Sequence, residues 1–200
     1  MTGKSKTRRA RETVRSAIEN RGNIRVIGGR LRGRRLAVPR GWALRPTPNR
    51  VRETLFNWLQ NEITGARCLD LFAGTGALGI EALSRGAAAV TFVESDARIA
   101  AELRLQLERL HLTAPVMCTA ADRFLAATSD RFDIIFADPP FDMDAAPVCR
   151  AAAALLGSGG ALYCERDVGD RLPELEQASW IRDARAGAVR FGLAKAHERD

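Results

Sequence analysis

Residues 68–79 read Cys68-Leu-Asp-Leu-Phe-Ala-Gly-Thr-Gly-Ala-Leu-Gly79. An apolar run leads into this Gly-x-Gly-x-x-Gly pattern and a helical pattern follows it, which is typical of a nucleotide-binding turn between a strand and a helix. Glu94 ends the next apolar run, near the spacing at which an acidic side chain reaches a ribose hydroxyl. The stretch therefore predicts the first strand–turn–helix unit of an α/β fold.

Outward from this turn, strand patterns and helical patterns alternate along the chain. The strand patterns are nearly continuous apolar runs, which favours a parallel sheet with helices on both faces. We predict a doubly wound, mostly parallel α/β sheet that binds its ligands at the carboxyl ends of the strands. Strands are expected at 67–71, 89–94, 114–119, 132–137, 161–165, around 180 and at 189–193, and helices at 49–61, 77–84, 97–110, near 123, at 145–156 and at 171–176.

The N-terminal quarter of the chain differs from the rest in charge. Up to Arg52 there are 16 lysines and arginines against 2 acidic residues, a net charge of +14, whereas the remainder has 15 against 22, a net of −7. Such a cationic block attracts the phosphate backbone of nucleic acid but carries no base specificity by itself. We expect a basic, disordered tail at 1–22, an RNA-binding hairpin with a linker at 23–48, and the main domain at 49–200. The candidate RNA-binding side chains are Arg25, Arg30, Arg32, Arg34 and Arg35.

Other features exclude several classes of protein. No run of about 18 apolar residues occurs, and no apolar segment follows the basic N-terminus, so neither a membrane span nor a secretory signal is expected. The cysteines lack the close pairing of zinc ligands, and no metal site is expected. We interpret all four as small core residues of a reduced, cytoplasmic protein: Cys68, Cys118, Cys149 and Cys164.

Asp70 discriminates between two ligands of the glycine turn. A dinucleotide would lay its anionic pyrophosphate on this turn, where a carboxylate repels it. S-adenosylmethionine instead presents a cationic sulfonium and an ammonium group, so we expect this cofactor, and a nucleotide-binding dehydrogenase is the disfavoured alternative. Glu94 is placed for the ribose diol and Asp122 for the adenine amino group, while Asp96 is either a ligand contact or a helix cap. The candidate cofactor-binding residues are Asp70, Phe72, Ala73, Gly74, Gly76, Glu94, Ser95, Ala121 and Asp122.

A tetrapeptide, Asp138-Pro-Pro-Phe141, follows the predicted strand 132–137. The amino nitrogen of a base is a weak nucleophile, and acceptors that grip its hydrogens can pull it towards tetrahedral geometry. Asp138 offers a carboxylate and Pro139 a carbonyl without a competing N–H, while the paired prolines fix their directions. Phe141 offers a face on which a base can stack. We therefore predict Asp138, Pro139, Pro140 and Phe141 as the catalytic residues of an amino methyltransferase, with Asp138 also at the cofactor; the alternative is a turn that only ends a strand.

From about Ile24 to Leu193 the chain resembles the bacterial 16S rRNA guanine-N2 methyltransferases of the small ribosomal subunit. Four motifs carry the resemblance: Arg25-Val-Ile-Gly-Gly-Arg30 with Arg32-Gly-Arg34, Leu44-Arg-Pro-Thr47 with Arg50-Val-Arg-Glu-Thr-Leu-Phe-Asn57, Asp70-Leu-Phe-Ala-Gly-Thr-Gly76 and Asp138-Pro-Pro-Phe141. The last two are shared by many amino methyltransferases. The first two, between Arg25 and Asn57, carry the assignment to guanine in rRNA.

The resemblance implies a class I methyltransferase fold with a seven-stranded sheet, S-adenosylmethionine in its cleft, and Thr47 and Arg50 near the cofactor or the catalytic pocket. It also implies a monomer that acts on 16S rRNA in the small subunit or in its assembly intermediate. The sequence departs from the family at Pro48-Asn49, where a Thr-Asp pair often stands. Two alternatives stay open: an adenine-N6 or cytosine-N4 methyltransferase on DNA or RNA, and a catalytically silent RNA-binding protein.

Overall fold

The computed structural model describes residues 24–38 and 47–198, so the tail at 1–22 and the Leu44-Arg-Pro part of the motif ending at Thr47 lie outside the described residues. The strands are β1 (Ile24–Arg25), β2 (Arg35–Leu36), β3 (Arg67–Asp70), β4 (Ala89–Glu94), β5 (Val116–Cys118), β6 (Phe132–Ala137), β7 (Leu156–Asp167), β8 (Ala178–Ala186) and β9 (Val189–Ala196). The helices are α1 (Asn49–Trp58), α2 (Ala77–Ser84), α3 (Ala97–Arg109), α4 (Ala121–Ala127) and α5 (Ala145–Ala154).

A seven-stranded sheet in the order β5-β4-β3-β6-β7-β9-β8 forms the body of the protein. The first five of these strands are mutually parallel, and β9 runs antiparallel between β7 and β8. This confirms the predicted doubly wound, mostly parallel α/β sheet. The strand order reverses between β3 and β6, where Asp70 lies opposite Phe136, and such a switch point opens a ligand crevice at the carboxyl ends of the strands.

The core consists of two clusters, one on each face of the sheet. Because successive strand residues point to opposite faces, Cys68 of β3 packs in the first cluster and the adjacent Leu69 in the second. The first cluster includes the buried faces of α1, α2 and α3, and the second those of α4 and α5. Helices therefore cover both faces of the sheet, as the apolar strand patterns predicted.

The predicted N-terminal hairpin is present as the antiparallel pair of β1 and β2, with Ile24 opposite Leu36 and a 3-10 turn at Gly29–Leu31. Its apolar side chains are part of the first core cluster. Gly29 has a φ of +72°, and a Cβ there would lie 1.8 Å from the carbonyl oxygen of Ser84. The hairpin is thus packed tightly against the end of α2.

Two predictions are wrong. The expected helix at 171–176 is absent from the described chain, because Pro173 removes a backbone donor and restricts the residue before it. The Pro173 carbonyl instead accepts a hydrogen bond of 2.8 Å from the Trp180 indole. Cys118 is exposed on the edge strand β5, whereas the other three cysteines are buried as expected. Within 24–38 and 47–198, no helix has the length and apolarity needed to cross a membrane.

Candidate active site at the carboxyl edge of the sheet

A cleft of about 390 Å³ opens at the switch point, between the loops that follow β3, β4 and β6. Its lining joins segments that are far apart in sequence, because parallel strands deliver their carboxyl ends to one edge. Glu165 near the end of β7 completes the wall. The candidate residues that the cleft brings together are Thr47, Asp70, Phe72, Ala73, Gly74, Glu94, Ser95, Asp138, Pro139, Pro140 and Phe141.

A second cleft of about 570 Å³ continues from the first, and Phe72, Glu94 and Ser95 line both. Its far wall is formed by α4 and α5 and is largely apolar, with Ala121 and Asp122 at its rim. A planar ring can lie against such a wall while a carboxylate accepts from an exocyclic amino group. The two clefts together suit an elongated nucleoside ligand.

The three glycines of the turn have different tasks. Gly74 lines the cleft and has a φ of +51°. Gly76 lies outside the cleft lining: it has a φ of +75°, and a Cβ there would be 2.5 Å from Leu103 Cδ1. A Cβ on Gly79 would be 2.3 Å from the Phe92 ring, so that glycine lets α2 approach β4. Gly76 and Gly79 therefore shape the turn and its packing rather than the cleft surface.

Asp70 is a buried carboxylate at the base of the cleft, 2% exposed. Its Oδ2 accepts a hydrogen bond of 2.9 Å from the Gly79 N–H. Burial, with a smaller contribution from the nearby Asp138 and Glu94, raises the pKa of Asp70 to about 8, although the Gly79 hydrogen bond opposes this. No lysine or arginine in the described segments forms an ion pair with Asp70. A ligand cation at this point would favour the ionised carboxylate.

Glu94 stands at the junction of the two clefts. Its Oε2 accepts from the Gly74 N–H at 2.9 Å and its Oε1 from the Asp96 N–H at 2.8 Å, which fixes the carboxylate plane. Each carboxylate oxygen has a further lone pair, so both oxygens can also accept hydrogen bonds from neighbouring hydroxyls. The Asp96 side chain itself accepts from the N–H groups of Arg98 and Ile99 and is the cap of α3.

The tetrapeptide loop is held from two sides. The Thr47 hydroxyl donates to Asp138 Oδ2 at 3.2 Å. From β7, the guanidinium of Arg166 donates to the carbonyls of Pro140 and Phe141 at 3.4 and 3.3 Å. Arg166 is itself held by Asp170 at 3.0 Å. These contacts hold the Asp138 carboxylate and the backbone at Pro140 and Phe141.

Glu165 and Arg166 were not predicted from the sequence. Tyr163 donates from its hydroxyl to Glu165 Oε1 at 2.7 Å, and Glu165 is 2% exposed. The available signal was a charged pair directly after the apolar run of β7, at the edge where the other site residues lie. Arg50, which was predicted near the pocket, is exposed on α1 and lines neither cleft.

The hairpin is fastened to the main domain by a buried carboxylate, that of Glu81 in α2. Glu81 accepts from the backbone N–H groups of Ile27 and Gly28 at 2.7 and 2.8 Å and from Arg85 Nε at 2.7 Å. Nη1 of Arg52 lies 3.8 Å from it. We call these three side chains, Glu81, Arg52 and Arg85, the Glu81 anchor. It fixes the hairpin on the helix whose first residues line the cleft.

Arg52 is fully buried, as is Glu81. Its Nη2 donates to the Arg25 carbonyl at 2.9 Å and to Asn49 Oδ1 at 2.7 Å, while Nε and Nη1 find no hydrogen-bond acceptor among the described residues. Burial lowers the pKa of Arg52, and the charge of Glu81 partly offsets this. The five hairpin arginines are all exposed, so the hairpin presents a cationic surface to solvent while the Glu81 anchor holds its backbone.

Comparisons with known proteins identify the family. The family model described as "Conserved hypothetical protein 95" matches residues 24–195. The chain is 44% identical to ribosomal RNA small subunit methyltransferase D of Escherichia coli (strain K12), over 86% of this chain and 89% of that protein. The chain belongs to this methyltransferase family. A family relative from Haemophilus influenzae with the same name is 38% identical, over 86% and 94% of the two chains.

A solved structure of yhhF from Escherichia coli matches with a TM-score of 0.81 and 42% identity, over 89% of this chain and 100% of that one. A second one, from Haemophilus influenzae, matches with a TM-score of 0.73 and 35% identity. Membership of the methyltransferase family confirms the predicted class of enzyme over the dehydrogenase alternative.

Proposed function

We propose that the protein transfers a methyl group from S-adenosylmethionine to the exocyclic N2 of a guanine in 16S rRNA. The observation that carries this proposal is the meeting in one cleft of the acids Asp70 and Glu94 with the tetrapeptide Asp138–Phe141. The first group suits a cationic nucleoside cofactor, and the second suits the amino group of a base. The name of the relatives, ribosomal RNA small subunit methyltransferase D, supports rRNA as the substrate.

The clefts fit S-adenosylmethionine by charge and by shape. Asp70 and Gly74 lie where the methionine part would bind, Glu94 with Ser95 would hold the ribose, and the rim at Ala121–Asp122 would hold the adenine. When bound, the cofactor would supply an electrophilic methyl group to the N2 lone pair and would leave as S-adenosylhomocysteine, with the C–S electron pair kept on sulfur. Burial first, and the nearby Asp138 and Glu94 second, raise the pKa of Asp70, and a cationic occupant would offset both by stabilising the ionised carboxylate.

The tetrapeptide then acts on the base. Asp138 and the Pro139 carbonyl accept from the two N–H bonds of the amino group, and Phe141 stacks on the ring. The proton that leaves N2 passes to the Asp138 carboxylate and from there to water. Thr47 and the Arg166 contacts hold these groups in place, so the loop contributes chiefly through proximity and orientation. Because N2 of a stacked, paired guanine is poorly accessible, the base is expected to be flipped into the cleft.

The hairpin supplies the RNA contact. We assign residues 23–48 to an RNA-binding hairpin and a linker, and 49–200 to the methyltransferase domain, and the protein acts as a monomer on the small subunit or its assembly intermediate. Arg25, Arg30, Arg32, Arg34 and Arg35 would contact phosphates, which is supported by their exposure and by the net charge of the segment. The Glu81 anchor would keep this surface at a constant distance from the cleft.

A methyl-transfer assay tests the proposal. Small subunits and naked 16S rRNA from cells that lack the protein are incubated with it and with methyl-labelled S-adenosylmethionine, and the modified nucleotide is sequenced. We expect one N2-methylguanine. A methylated adenine or cytosine would favour the other amino methyltransferases, and no transfer by a protein that binds S-adenosylhomocysteine would favour the silent RNA-binding alternative.

A further inference from the structure

The tetrapeptide accounts for an amino group as the target, but not for guanine. Adenine, cytosine and guanine all carry an exocyclic amino group, and the acceptors of Asp138 and Pro139 can bind any of them. The three bases differ in the ring atom next to that amino group. Guanine has an N1–H donor on one side of its amino group and the N3 lone pair on the other, whereas the ring nitrogen beside the amino group of adenine (N1) or cytosine (N3) has only a lone pair. A group that selects guanine must therefore be an acceptor placed beside the tetrapeptide.

Glu165 occupies this position. It lies near the end of β7, next to β6, and lines the same cleft as Asp138, Pro139 and Phe141. It is 2% exposed, and the hydroxyl of the fully buried Tyr163 donates to its Oε1 at 2.7 Å. Burial, followed by the charge of Glu165, raises the pKa of Tyr163 well above its usual value, so this hydroxyl keeps its proton and donates it to Glu165 Oε1.

We propose that Glu165 selects guanine by accepting a hydrogen bond from its N1–H while the tetrapeptide holds the N2 amino group. This inference rests on the proposed function and names the residue that reads the base at the same site. An ionised carboxylate has no donor, so it would face the lone pair of adenine or cytosine with its own lone pairs. Sites built on such a hydrogen bond reject analogues that cannot form it, because a buried polar group would be left without its partner.

The neighbourhood of Glu165 supports a recognition role. The Tyr163 hydroxyl fixes the orientation of the carboxylate through Oε1. The next residue, Arg166, donates to the carbonyls of Pro140 and Phe141. The end of β7 therefore carries both the group that would read N1–H and the group that orients the tetrapeptide. Base selection and nucleophile placement would share one rigid strand.

Base analogues test this directly. Small subunits are reconstituted with 16S rRNA that carries either guanine or 2-aminopurine at the methylated position. 2-Aminopurine keeps the amino group at C2 but has a lone pair at N1. We expect the unaltered protein to prefer guanine by about 10²-fold or more in kcat/KM. Equal rates on the two substrates would overturn the inference, whatever the variants show.

The variant Glu165→Gln provides a second test of the inference. The amide can turn its NH2 towards the N1 lone pair, so turnover on guanine should fall and the preference for guanine over 2-aminopurine should shrink at least about tenfold. An unchanged preference ratio would contradict the role of Glu165, because a loss of packing alone lowers both rates together. Tyr163→Phe should shift the ratio in the same direction by less.

Matched controls separate this inference from the proposed function. Glu108→Gln removes the same charge from the exposed face of α3 and should leave the ratio unchanged. Binding of S-adenosylhomocysteine, measured by calorimetry, reports whether each variant is folded. If the unaltered protein methylated no guanine, the proposed function would fail; if it methylated guanine and Glu165→Gln kept the full preference, only the role of Glu165 would fail.

Discussion

Glu81 and Asp70 are both buried carboxylates, yet they are surrounded in opposite ways. Glu81 receives two backbone N–H groups and lies beside the guanidinium groups of Arg85 and Arg52. Asp70 receives one N–H, and its charged neighbours are Asp138 and Glu94. A buried charge is costly unless it is paired. Guanidinium groups thus neutralise the acid that holds the hairpin, whereas Asp70 holds a proton below about pH 8 until a ligand cation favours its ionised form.

This difference separates acids that serve the fold from acids that serve the site. Removing a cleft acid should impair chemistry or ligand binding and leave the fold largely intact. Removing Glu81 should do the reverse. The comparison would be wrong if a cleft-acid variant lost mainly stability, or if a Glu81 variant lost mainly ligand binding or chemistry.

The largest effect is expected from Asp138→Ala. The carboxylate would no longer grip the amino group of the base or take up its proton, so the rate of methyl transfer should fall by about 10²- to 10⁴-fold. Binding of S-adenosylhomocysteine, followed by calorimetry, should persist. Asp142→Ala is the matched control, because Asp142 is exposed and lines neither cleft. Retained turnover on small subunits would remove Asp138 from the catalytic role.

Next in size is the loss of the Glu81 carboxylate. Glu81→Ala would leave Arg52 buried without its counter-charge and two backbone N–H groups without an acceptor, so the free energy of unfolding should drop by about 3–5 kcal/mol. Urea denaturation followed by circular dichroism measures it. The exposed Glu108→Ala should change it by less than about 0.5 kcal/mol. A similarly small change in Glu81→Ala would mean that the buried charges of the anchor do not stabilise the fold.

Elements that depend on local sequence patterns could be predicted from the sequence. The bounds of β4, β6 and α2 were predicted correctly, and the hairpin and sheet class as well, because apolar periodicity and turn glycines are local signals. The predicted helix at 171–176 was wrong, because Pro173 removes a backbone donor and restricts the residue before it.

Residues whose role depends on distant partners were not found in this way. Glu81 lies within an apolar helical pattern, and its backbone partners are 54 and 53 residues away along the chain. Glu165 and Arg166 come to lie beside the tetrapeptide only because β7 pairs with β6, and this pairing is not a local signal. Gly76 matches the motif but packs against Leu103 instead of lining the cleft, since the pattern does not reveal which glycine faces the ligand.

The third effect is a dependence on pH that Asp70 imposes. Its pKa of about 8 in the folded protein lies above its ordinary value, so between the two the folded chain holds a proton that the unfolded chain releases. The contribution of this group to stability is therefore present at low pH and is lost as the pH rises through about 8. In urea titrations at pH 5 to 9, Asp70→Asn should show a shallower decline of unfolding free energy with rising pH than the unaltered protein.

Cofactor affinity should follow the opposite course. A cationic ligand prefers the ionised carboxylate, so the affinity for S-adenosylmethionine should rise from pH 6 to 8, by up to about tenfold per pH unit, and level off above 8. In Asp70→Asn only the ligand's own groups titrate, so the affinity measured by calorimetry should depend much less on pH. Identical profiles for the two proteins would show that Asp70 does not sense the cation.

The smallest effects are expected from the hairpin arginines, which are all exposed. Arg30→Ala and Arg32→Ala should each weaken binding to small subunits several-fold and lower the slope of log affinity against log salt by about one, while S-adenosylhomocysteine binding stays the same. Arg109→Ala, an exposed arginine on α3, is the matched control. Because exposed charges act mainly through counterion release, the effect should fade at high salt; a loss that persists there would mean that these side chains touch bases rather than phosphates.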